Sequence, residues 1–423
     1  MGKPIIRFKG YEDDWEQRKL GEITELKSAS RVHKNEWTSN GVPFYRSSDV
    51  MAAINGTENE KVFISEELYE KLYKVSGKLE EGDILVTGGG SVGNPYIVPN
   101  NEPLYTKDAD LLWIKNKGKF YPYFIYEFFF STSFRNYLCG ISHVGTIAHY
   151  TITQLSETPI CFPNIEEQKI IGEYFQRLDC LITLHQRKCE QTKILKKYML
   201  QKMFPQNGEK VPEIRFAGFT DDWEQRKLGE MLISLQNNTF SRADLSNETG
   251  VAKNIHYGDV LIRFGEVLDV SKEHLPMITD EKVLTKYKAS FLQNGDVIVA
   301  DTAEDITVGK CSEIAGLNDE VVLSGLHTIP YRPVEKFATG YLGYYLNSCA
   351  YHNQLIPLMQ GIKVTSISKS AMQDTDIVYP KSMKEQAMIG NYFQSIDHLI
   401  TLHQRKCDEL QKIKKFMLQN MFV

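Results

Sequence analysis

The sequence of 423 residues contains two related copies of itself, and this duplication constrains the fold more than any other feature. Residues 6–22 and 214–230 share 14 of 17 positions, and residues 168–204 and 386–422 share 23 of 37 positions without a gap. The copies are offset by 208 residues at the first match and by 218 at the second. Each copy is therefore about the size of one domain with an attached helix.

Between these matched ends the two copies hardly agree, apart from short fragments that are typical of strand ends and turns. Residues 82–86 correspond to residues 295–299, and Phe162-Pro163 corresponds to Tyr379-Pro380. Such fragments preserve a fold while the surface loops change. The duplication therefore predicts two related recognition units rather than one composite active site.

Each repeated 37-residue segment is predicted to form one long helix. Residues 166–204 contain no proline and only one glycine, and prolines at 163 and 205 bound them. Apolar residues recur at the spacing of an amphipathic helix, at Ile171, Phe175, Leu178, Ile182, Leu195, Met199 and Met203. A rod of about 55 Å cannot bury such a stripe against itself. We therefore expect the two helices to pair antiparallel, as a coiled-coil spacer between the globular units.

Both predicted helices carry a histidine and a cysteine four residues apart near their middle. The pairs are His185 with Cys189 and His403 with Cys407. A tetrahedral Cys2His2 metal site is one interpretation. A buried polar layer that fixes the helix register is the commoner use of such residues, and no metal is assigned.

The three residues after each histidine are identical in the two copies. Solvated charge is the usual state of such a run, but its verbatim duplication also suits a docking surface for a protein bound twice. The docking candidates are Gln186, Arg187, Lys188, Gln404, Arg405 and Lys406.

The two globular units alternate short apolar runs with turn residues, and each has an aromatic-rich helical stretch. Strands are predicted at residues 44–46, 84–86, 97–98 and 111–114 with a helix over 123–137, and this order recurs over 255–262, 297–300, 327–331 and 341–351. The expected fold class is α+β, with two homologous domains separated by two long antiparallel helices in pseudo-two-fold arrangement. The expected segments are a first domain, a central helix, a second domain and a C-terminal helix, at 1–164, 165–205, 206–382 and 383–423.

The motifs of the common enzyme classes are incomplete in this sequence. The glycine-rich run at 88–93 lacks the Gly-Lys-Ser/Thr ending of a phosphate loop. Asn94-Pro95-Tyr96 is one proline short of the adenine methyltransferase motif, and no Rossmann-type glycine loop precedes it. Asp301, Glu304 and Asp305 could hold magnesium for a nuclease, but the first copy has Thr-Gly-Gly in the corresponding place. Catalysis by this chain is therefore not expected.

Composition narrows the class of protein further. The 49 basic and 54 acidic residues give a net charge of −5, which excludes a wholly basic nucleic-acid coat but not a local basic groove. Seven cysteines without a Cys-x-x-Cys pair argue against a disulfide framework. The first residues lack the apolar core of a signal peptide, and no apolar run approaches the ~20 residues of a membrane span. These features predict a cytoplasmic protein.

The duplicated ends resemble the specificity (S) subunits of type I restriction–modification systems. The resemblance rests on the Asp-Asp-Trp-Glu-Gln-Arg-Lys-Leu-Gly-Glu segments at 13–22 and 221–230, and on the Glu-Gln pairs at 167–168 and 385–386. It covers essentially the whole chain. It implies two target-recognition domains, two methyltransferase (M) subunits on the helical frame, and restriction (R) subunits. S-adenosylmethionine, ATP and magnesium would then belong to partner chains, with no cofactor here.

Recognition of double-stranded DNA requires phosphate contacts for affinity and base-edge contacts for sequence. Arginine can fork onto guanine, and asparagine or glutamine onto adenine, in the major groove. The candidates are Arg31, Lys34, Asn35, Arg46, Ser47, Ser48, Gly89, Ser91 and His143 in the first unit, and Asn237, Asn238, Arg242, Lys253, Arg263, Thr302, Gln360 and Lys363 in the second.

Because the copies share their ends and differ in their loops, we expect an asymmetric bipartite target with an unread gap. A centre-to-centre spacing of about 34 Å, one helical turn of DNA, is the default for two units on one face. Two other functions stay open at this point: a non-catalytic scaffold whose units bind proteins, and a stand-alone magnesium nuclease.

Overall fold

The computed structural model describes residues 2–107, 110–141, 149–206 and 208–423. The chain divides into two units by its internal contacts. Unit 1 comprises Met1–Gln186 with Gln404–Val423, and unit 2 comprises Arg187–His403. Each unit therefore combines one mixed α/β region with a segment of each long helix. The four segment boundaries expected from the sequence stay a prediction.

Unit 1 contains ten strands and parts of two long helices among its described residues. The strands are β1 (Glu16–Lys19), β2 (Leu26–Ser28), β3 (Trp37–Thr38), β4 (Val42–Tyr45), β5 (Phe63–Ile64), β6 (Ile84–Thr87), β7 (Pro95–Ile97), β8 (Tyr105–Thr106), β9 (Leu111–Ile114) and β10 (Pro159–Phe162). The helices are α1 (Leu20–Ile23), α2 (Ser47–Asn55), α3 (Glu66–Ser76), α4 (Pro122–Phe128), α5 (Thr132–Ile141), α6 (Ile152–Glu157) and the first part of α7 (Ile165–Lys202).

The strands of unit 1 form two four-stranded sheets and one short ladder. The sheets have the orders β2-β9-β6-β7 and β3-β5-β4-β8, and β1 pairs antiparallel with β10. All residues of the central strands β6 and β9 are buried. On one face of these strands, Ile84, Val86, Leu112 and Ile114 pack against aromatic residues of α4 and against α7. The main core of unit 1 therefore lies where this face of the sheet meets the long helix.

Unit 2 contains thirteen strands in the part of the chain that the structure describes. The strands are β11 (Glu224–Lys227), β12 (Leu232–Ser234), β13 (Leu245–Ser246), β14 (Ala252–Ile255), β15 (Val267–Asp269), β16 (Met277–Ile278), β17 (Val297–Ala300), β18 (Thr302–Ala303), β19 (Cys311–Ala315), β20 (Val322–Ser324), β21 (Thr328–Pro333), β22 (Thr365–Ser366) and β23 (Asp376–Tyr379). The helices are α8 (Leu228–Met231), α9 (Tyr257–Ile262), α10 (Val283–Lys286), α11 (Tyr341–Asn347), α12 (Cys349–Leu355), α13 (Lys369–Gln373) and α14 (Met383–Asn420), whose last part belongs to unit 1.

The sheets of unit 2 repeat the strand order of unit 1. The first has the order β12-β21-β17-β19-β15, which adds one parallel strand, β15, to the four-stranded order of unit 1. The second has the order β13-β16-β14-β20, and β11 pairs with β23 as β1 pairs with β10. The duplication predicted from the matched ends therefore extends through the regions where the two sequences hardly agree. The predicted α+β class with two homologous domains is confirmed.

Two sequence assignments need correction. Residues 255–262 were expected to form a strand, but β14 ends at Ile255 and α9 begins at Tyr257. The His256 ring accepts the Gly258 N–H at 3.2 Å, which caps this helix and ends the strand. The aromatic-rich helices are each divided in two, between α4 and α5 and between α11 and α12. Ser131 caps α5 by accepting the Phe134 N–H.

Both long helices are 38 residues long, as α7 and α14, and in each unit their segments run antiparallel. In unit 1 the side-chain pairs are Phe175 with Phe422 and Asp179 with Lys414. In unit 2 they are Lys196 with Asp397 and Phe204 with Phe393, and the Cys189 thiol contacts the Ile400 backbone carbonyl. The partner number falls as the α7 number rises, so the predicted antiparallel pairing is confirmed within each unit. Leu195, assigned to the packed stripe, is instead 46% exposed.

The Glu-Gln pair at each helix start attaches the helix to its unit. Glu167 is buried and accepts two hydrogen bonds from Arg7, at 2.7 and 2.8 Å. Glu385 makes the same bidentate pair with Arg215, at 2.6 and 3.0 Å. Such paired, hydrogen-bonded charges satisfy each other inside a protein. In each copy, the arginine of the Ile-Arg-Phe segment binds the glutamate of the Glu-Gln pair. This contact explains why both segments are present in both copies.

A phenylalanine at the far end of each helix completes the aromatic core. Phe204 stacks on Phe393 at 5.9 Å and meets Trp223 at 6.3 Å within unit 2. Phe422 meets Trp15 at 6.5 Å and Phe124 at 5.3 Å within unit 1. The end of the first repeated segment therefore packs into the core of unit 2, and the end of the second repeated segment packs into the core of unit 1.

Replacing Phe204 with alanine is expected to destabilise unit 2 by about 3–5 kcal/mol, because the ring is 1% exposed and leaves a cavity among other aromatics. Phe422→Ala should destabilise unit 1 in the same range. Peptide-resolved hydrogen exchange should show that Phe204→Ala reduces protection in unit 2 only and that Phe422→Ala reduces protection in unit 1 only. Phe416→Ala, on a ring that is 55% exposed, is the control and should change little. Equal loss in both units from either substitution would contradict this assignment.

A partly buried triad of titratable groups, of which Glu127 is fully buried, lies between α4 and the paired helices in unit 1. The Lys414 ammonium is 3.1 Å from Glu127 and 2.6 Å from Asp179. Burial is the main reason that the pKa of Glu127 is raised, to about 8. Unit 2 has a related triad, in which Lys196 pairs with Asp397 at 2.6 Å and with Glu266 at 2.8 Å.

The stability of unit 1 is expected to fall as pH rises from about 4.5 to about 8. An unfolded glutamate titrates near 4.3, so within this window the folded chain binds one proton more than the unfolded chain, and rising pH favours unfolding. Glu127→Gln should remove this dependence, which we expect to be on the order of 2–4 kcal/mol. Urea midpoints from pH 5 to 9 measure it, with the exposed Glu58→Gln as the control. A wild-type curve that is unchanged by Glu127→Gln would refute the assignment.

Candidate nucleic-acid interface

A buried polar network underlies the turn between β20 and β21 in unit 2. Asn238 is fully buried and donates to Asn254 at 2.7 Å and to the Ser324 carbonyl at 2.9 Å. Its own side-chain oxygen accepts the Phe240 N–H at 3.1 Å. With its amide committed and no exposed surface, Asn238 cannot reach a base edge. We therefore remove Asn238 from the DNA-contacting candidates; its role is to hold the backbone around it.

A polar cleft of about 540 Å³ opens beside this network in unit 2. Its lining includes the predicted residue Asn237, together with Gln236, Asp301, Ser368 and Lys369. Asn237 donates to the Gly325 carbonyl at 3.1 Å and remains partly exposed. Side-chain amides, a carboxylate and an ammonium around one concavity provide both donors and acceptors for base edges and phosphates.

Three more predicted residues lie on the two-stranded ribbon near this cleft. Thr302 in β18 pairs with Ser366 in β22, and Gln360 forms a further backbone bridge with Ser366. In residues 361–364, which connect Gln360 to β22, Lys363 is exposed and its neighbour Ile362 is completely exposed. The structure therefore brings Thr302, Gln360 and Lys363 together, although they are far apart in sequence.

The three remaining cationic candidates of unit 2 are engaged in ion pairs. Arg242 lies 2.9 Å from Asp259 and keeps 62% of its side chain exposed. Lys253 pairs with Glu320 at 3.0 Å, and Arg263 pairs with Glu273 at 2.8 Å. A neighbouring carboxylate weakens the attraction of each cation for phosphate. Arg242 is the best placed of the three because its side chain is the most exposed. Burial, assisted by Arg242, lowers the pKa of His256 at the start of α9.

The predicted Arg46-Ser47-Ser48 run of unit 1 begins helix α2 and is largely committed to internal contacts. Arg46 pairs with Asp49 at 3.0 Å and lies over the Trp37 ring at 5.7 Å. Ser47 donates to the Asp110 carbonyl, and Ser48 accepts from Asn59. The guanidinium of Arg46 would have to leave Asp49 to fork onto guanine. A positioning role for the α2 start fits these contacts better than direct reading.

The glycine-rich turn of unit 1 follows the buried strand β6. Gly89 is buried and forms a backbone bridge with His149, whereas Ser91 is exposed. The Ser91 carbonyl accepts from Asn94 at 2.8 Å, which closes the turn. The candidate His143 lies outside the described residues. Arg31, Lys34 and Asn35 are exposed beside one another in the segment between β2 and β3.

The duplicated docking candidates lie on the surface of the long helices. Gln186, Arg187, Lys188, Gln404, Arg405 and Lys406 are all exposed. Within the described residues, no group of three or more histidine, cysteine or acidic side chains could hold a metal ion. The Cys2His2 interpretation of His185, Cys189, His403 and Cys407 therefore finds no support; Cys189 and Cys407 are buried in the helix packing.

An apolar surface on each helix pair was not anticipated from the sequence. In unit 1 the exposed residues are Leu181, Leu184, Ile413 and Phe416, and in unit 2 they are Leu195, Tyr198, Leu399 and Leu402. These eight side chains are 42–55% exposed and occupy the same four positions of the two copies. We call them the unit 1 face and the unit 2 face. In the sequence these positions form a second apolar stripe on each helix, beside the more regular stripe that packs between the helices.

Each face lies on one side of its helix pair. On both helices the exposed apolar positions are rotated from the packed stripe by about a third of a turn in the same sense. Equal rotations in the same sense point to the same side when two helices run antiparallel. In unit 2, Lys188 lies two turns before Leu195 on that side of α7, and in unit 1 Lys406 stands likewise before Ile413 on α14.

Among the described residues, no helix is both long enough and apolar enough to cross a bilayer.

Two segments of the chain, residues 12–193 and 220–412, match the family described as Type I restriction modification DNA specificity domain. The type I restriction enzyme MjaVIII specificity subunit of Methanocaldococcus jannaschii is 25% identical over 369 residues, covering 84% of this chain and 82% of that protein. The MjaX specificity subunit of the same organism is 23% identical over 420 residues, covering 95% and 91%.

Two solved structures share the fold of this chain. The S subunit of a type I restriction–modification system from M. genitalium aligns with a TM-score of 0.57 at 13% identity, over 100% of this chain and 99% of that one. A chain from a structure describing assembly and conformational transition of a type I R-M system aligns with a TM-score of 0.56 at 18% identity, over 96% and 97%. At such identities the similarity establishes the fold.

Proposed function

The chain belongs to the type I restriction modification DNA specificity family, and from this premise we propose that it reads an asymmetric bipartite DNA sequence through two unlike domains. Recognition of a DNA target within a complex is the role of this family, and its specificity subunits are non-catalytic. The observation that supports a bipartite target is the repeated strand order of the two units, which carry different loop residues. Two similar scaffolds with different loops suit two different half-sites.

The reading surface that we propose in unit 2 consists of the cleft and the ribbon beside it. Asn237, Thr302, Gln360 and Lys363 contribute amide, hydroxyl and ammonium groups, and the exposed Arg242 adds a guanidinium. These five residues come from three segments of the chain. In unit 1 the corresponding set is Arg31, Lys34, Asn35 and Ser91. The spacing of the half-sites would be set by α7 and α14.

The net charge of −5 slightly favours a chain that binds DNA weakly alone and tightly in a complex, because affinity for DNA depends on the neutralisation of phosphates. We propose that tight binding arises in the assembly with methyltransferase and restriction subunits, which would supply S-adenosylmethionine, ATP and magnesium chemistry. The unit 1 and unit 2 faces, each with a neighbouring lysine, offer the same surface twice. This suits two copies of one methyltransferase subunit. A cytoplasmic location belongs to this proposal because the chromosome is the substrate.

The proposal is tested by mapping methyladenine across the genome in cells with and without this chain. We expect one bipartite motif to lose methylation when the chain is deleted and to regain it on complementation. A gel shift with the partner subunits should weaken steeply as salt increases from 50 to 200 mM, since each phosphate contact releases counterions. An unchanged methylation pattern, or binding that ignores salt, would favour a scaffold that binds proteins instead.

A further inference from the structure

The turn between β20 and β21 in unit 2 is held more rigidly than a surface loop usually is. The Gly325 N–H donates to the Ile255 carbonyl at 2.8 Å, and the Gly325 carbonyl accepts from Asn237 at 3.1 Å. A Cβ on Gly325 would lie 2.8 Å from that same Ile255 oxygen, so no larger residue fits. Below it, the hydroxyls of Ser324 and Thr328 are 2.6 Å apart. The buried network therefore fixes the path of the backbone.

His327 stands at the end of this turn in an unusual conformation. Its φ angle is +55°, and the described residues contain only one other non-glycine with positive φ, Lys117. Residues other than glycine adopt this region rarely, and such positions concentrate at functional sites. The conformation holds the imidazole at the surface, where 48% of the side chain remains exposed.

Two elements fix the orientation of the imidazole. Its Nδ1 atom lies 3.5 Å from the Asp301 carboxylate and 3.5 Å from the Thr302 hydroxyl. The ring packs edge-to-face against Tyr257, with centroids 5.3 Å apart. The Asp301 N–H also donates to the His327 carbonyl at 3.1 Å, which ties the turn to the end of β17. Within the part of the chain that the structure describes, Nδ1 faces Asp301 and Thr302, which leaves the second ring nitrogen, Nε2, for an external group.

We propose that His327 is a specificity-determining residue that contacts one base pair of the half-site read by unit 2. This inference rests on the proposed function and adds a residue that the sequence pattern did not indicate. An imidazole nitrogen with an assigned partner on its other side presents one defined group, as donor or acceptor, to the edge of a base in the groove. The rigid turn supplies the preorganisation that reading requires, because a loosely held side chain would accept several bases. Asp301 and Tyr257 act as positioning residues.

The test uses the assembled methyltransferase complex and a DNA library in which every position of the target is randomised in turn. His327→Ala and His327→Asn should each reduce discrimination at one base pair of one half-site by ten-fold or more. All positions of the other half-site should keep the wild-type preference. His274→Ala, which removes another exposed histidine of unit 2, is the matched control and should leave the target unchanged.

The outcomes separate this inference from the proposed function. If methylation by the His327 variants falls equally at every sequence, or is unaltered, His327 does not determine specificity, although the chain still reads DNA. If the wild-type complex itself shows no sequence preference, the proposed function fails first. Asp301→Asn provides a second measurement, since a positioning role predicts altered preference at the same base pair as His327→Ala. An effect of Asp301→Asn at a different base pair would contradict the positioning role.

Discussion

Exchanging residues 24–157 for the equivalent segment of another specificity subunit should change one half of the recognised sequence and leave the other half intact. This segment contains all the described loops of unit 1 that carry DNA-contacting candidates. It leaves out β1 and β10, whose antiparallel ladder joins Glu16 to Phe162 and closes the domain on its helix. The junctions therefore fall outside this ladder and outside the Arg7–Glu167 pair, while the contacts of α4 with α7 would be supplied by the incoming segment.

The expected effect is large because a whole reading surface is replaced. Each mismatched base pair costs about 1–3 kcal/mol, and specific binding exceeds non-specific binding by roughly 10³–10⁷-fold. Methylation at the original half-site should fall by about a thousand-fold or more, and a new half-site should appear. Sequencing of methyladenine after expression with the native partner subunits measures both. The reciprocal exchange of residues 232–375 should alter the other half-site. A change in both halves from one exchange would show that the units do not read independently.

Placing a glutamate in one apolar face should remove one of two bound methyltransferase subunits, and placing one in each face should remove both. Leu184→Glu lies in the unit 1 face and Leu402→Glu in the unit 2 face, at equivalent positions of the two copies. An unpaired charge buried in an interface costs about 3–5 kcal/mol. That corresponds to a loss of roughly a hundred-fold or more in affinity.

Native mass spectrometry of the complex measures the stoichiometry directly. We expect two methyltransferase subunits with the wild-type chain, one with either single variant and none with the double variant at micromolar concentrations. Thr183→Glu and Thr401→Glu are matched controls, because both threonines are exposed and duplicated but lie on the opposite side of the helix pair. Loss of binding in the controls, or full occupancy in the double variant, would place the docking surface elsewhere.

The polar residues show where sequence reasoning stops. Residue type alone made Asn238 and Thr302 equal candidates, yet one is fully buried in a network and the other lies on an accessible ribbon. His327 carried no signal in the sequence, since its backbone conformation and its contacts with Asp301 and Tyr257 come from three different segments. Side-chain chemistry can be read from a sequence, but its exposure depends on non-local packing.

The sequence by itself determined the duplication, the α+β class and the two long helices, because helical periodicity and repeated motifs are local properties of a chain. It also determined the apolar stripe by which the long helices pack, with Leu195 as an exception. Only the tertiary structure decided that each unit is closed by the end of the other copy's helix, as Phe204 and Phe422 show. Only it decided which polar side chains remain accessible to a ligand. The physical reason is that burial, ion pairing and backbone conformation in loops are fixed by residues distant in sequence, whose positions follow from the packing of the whole unit.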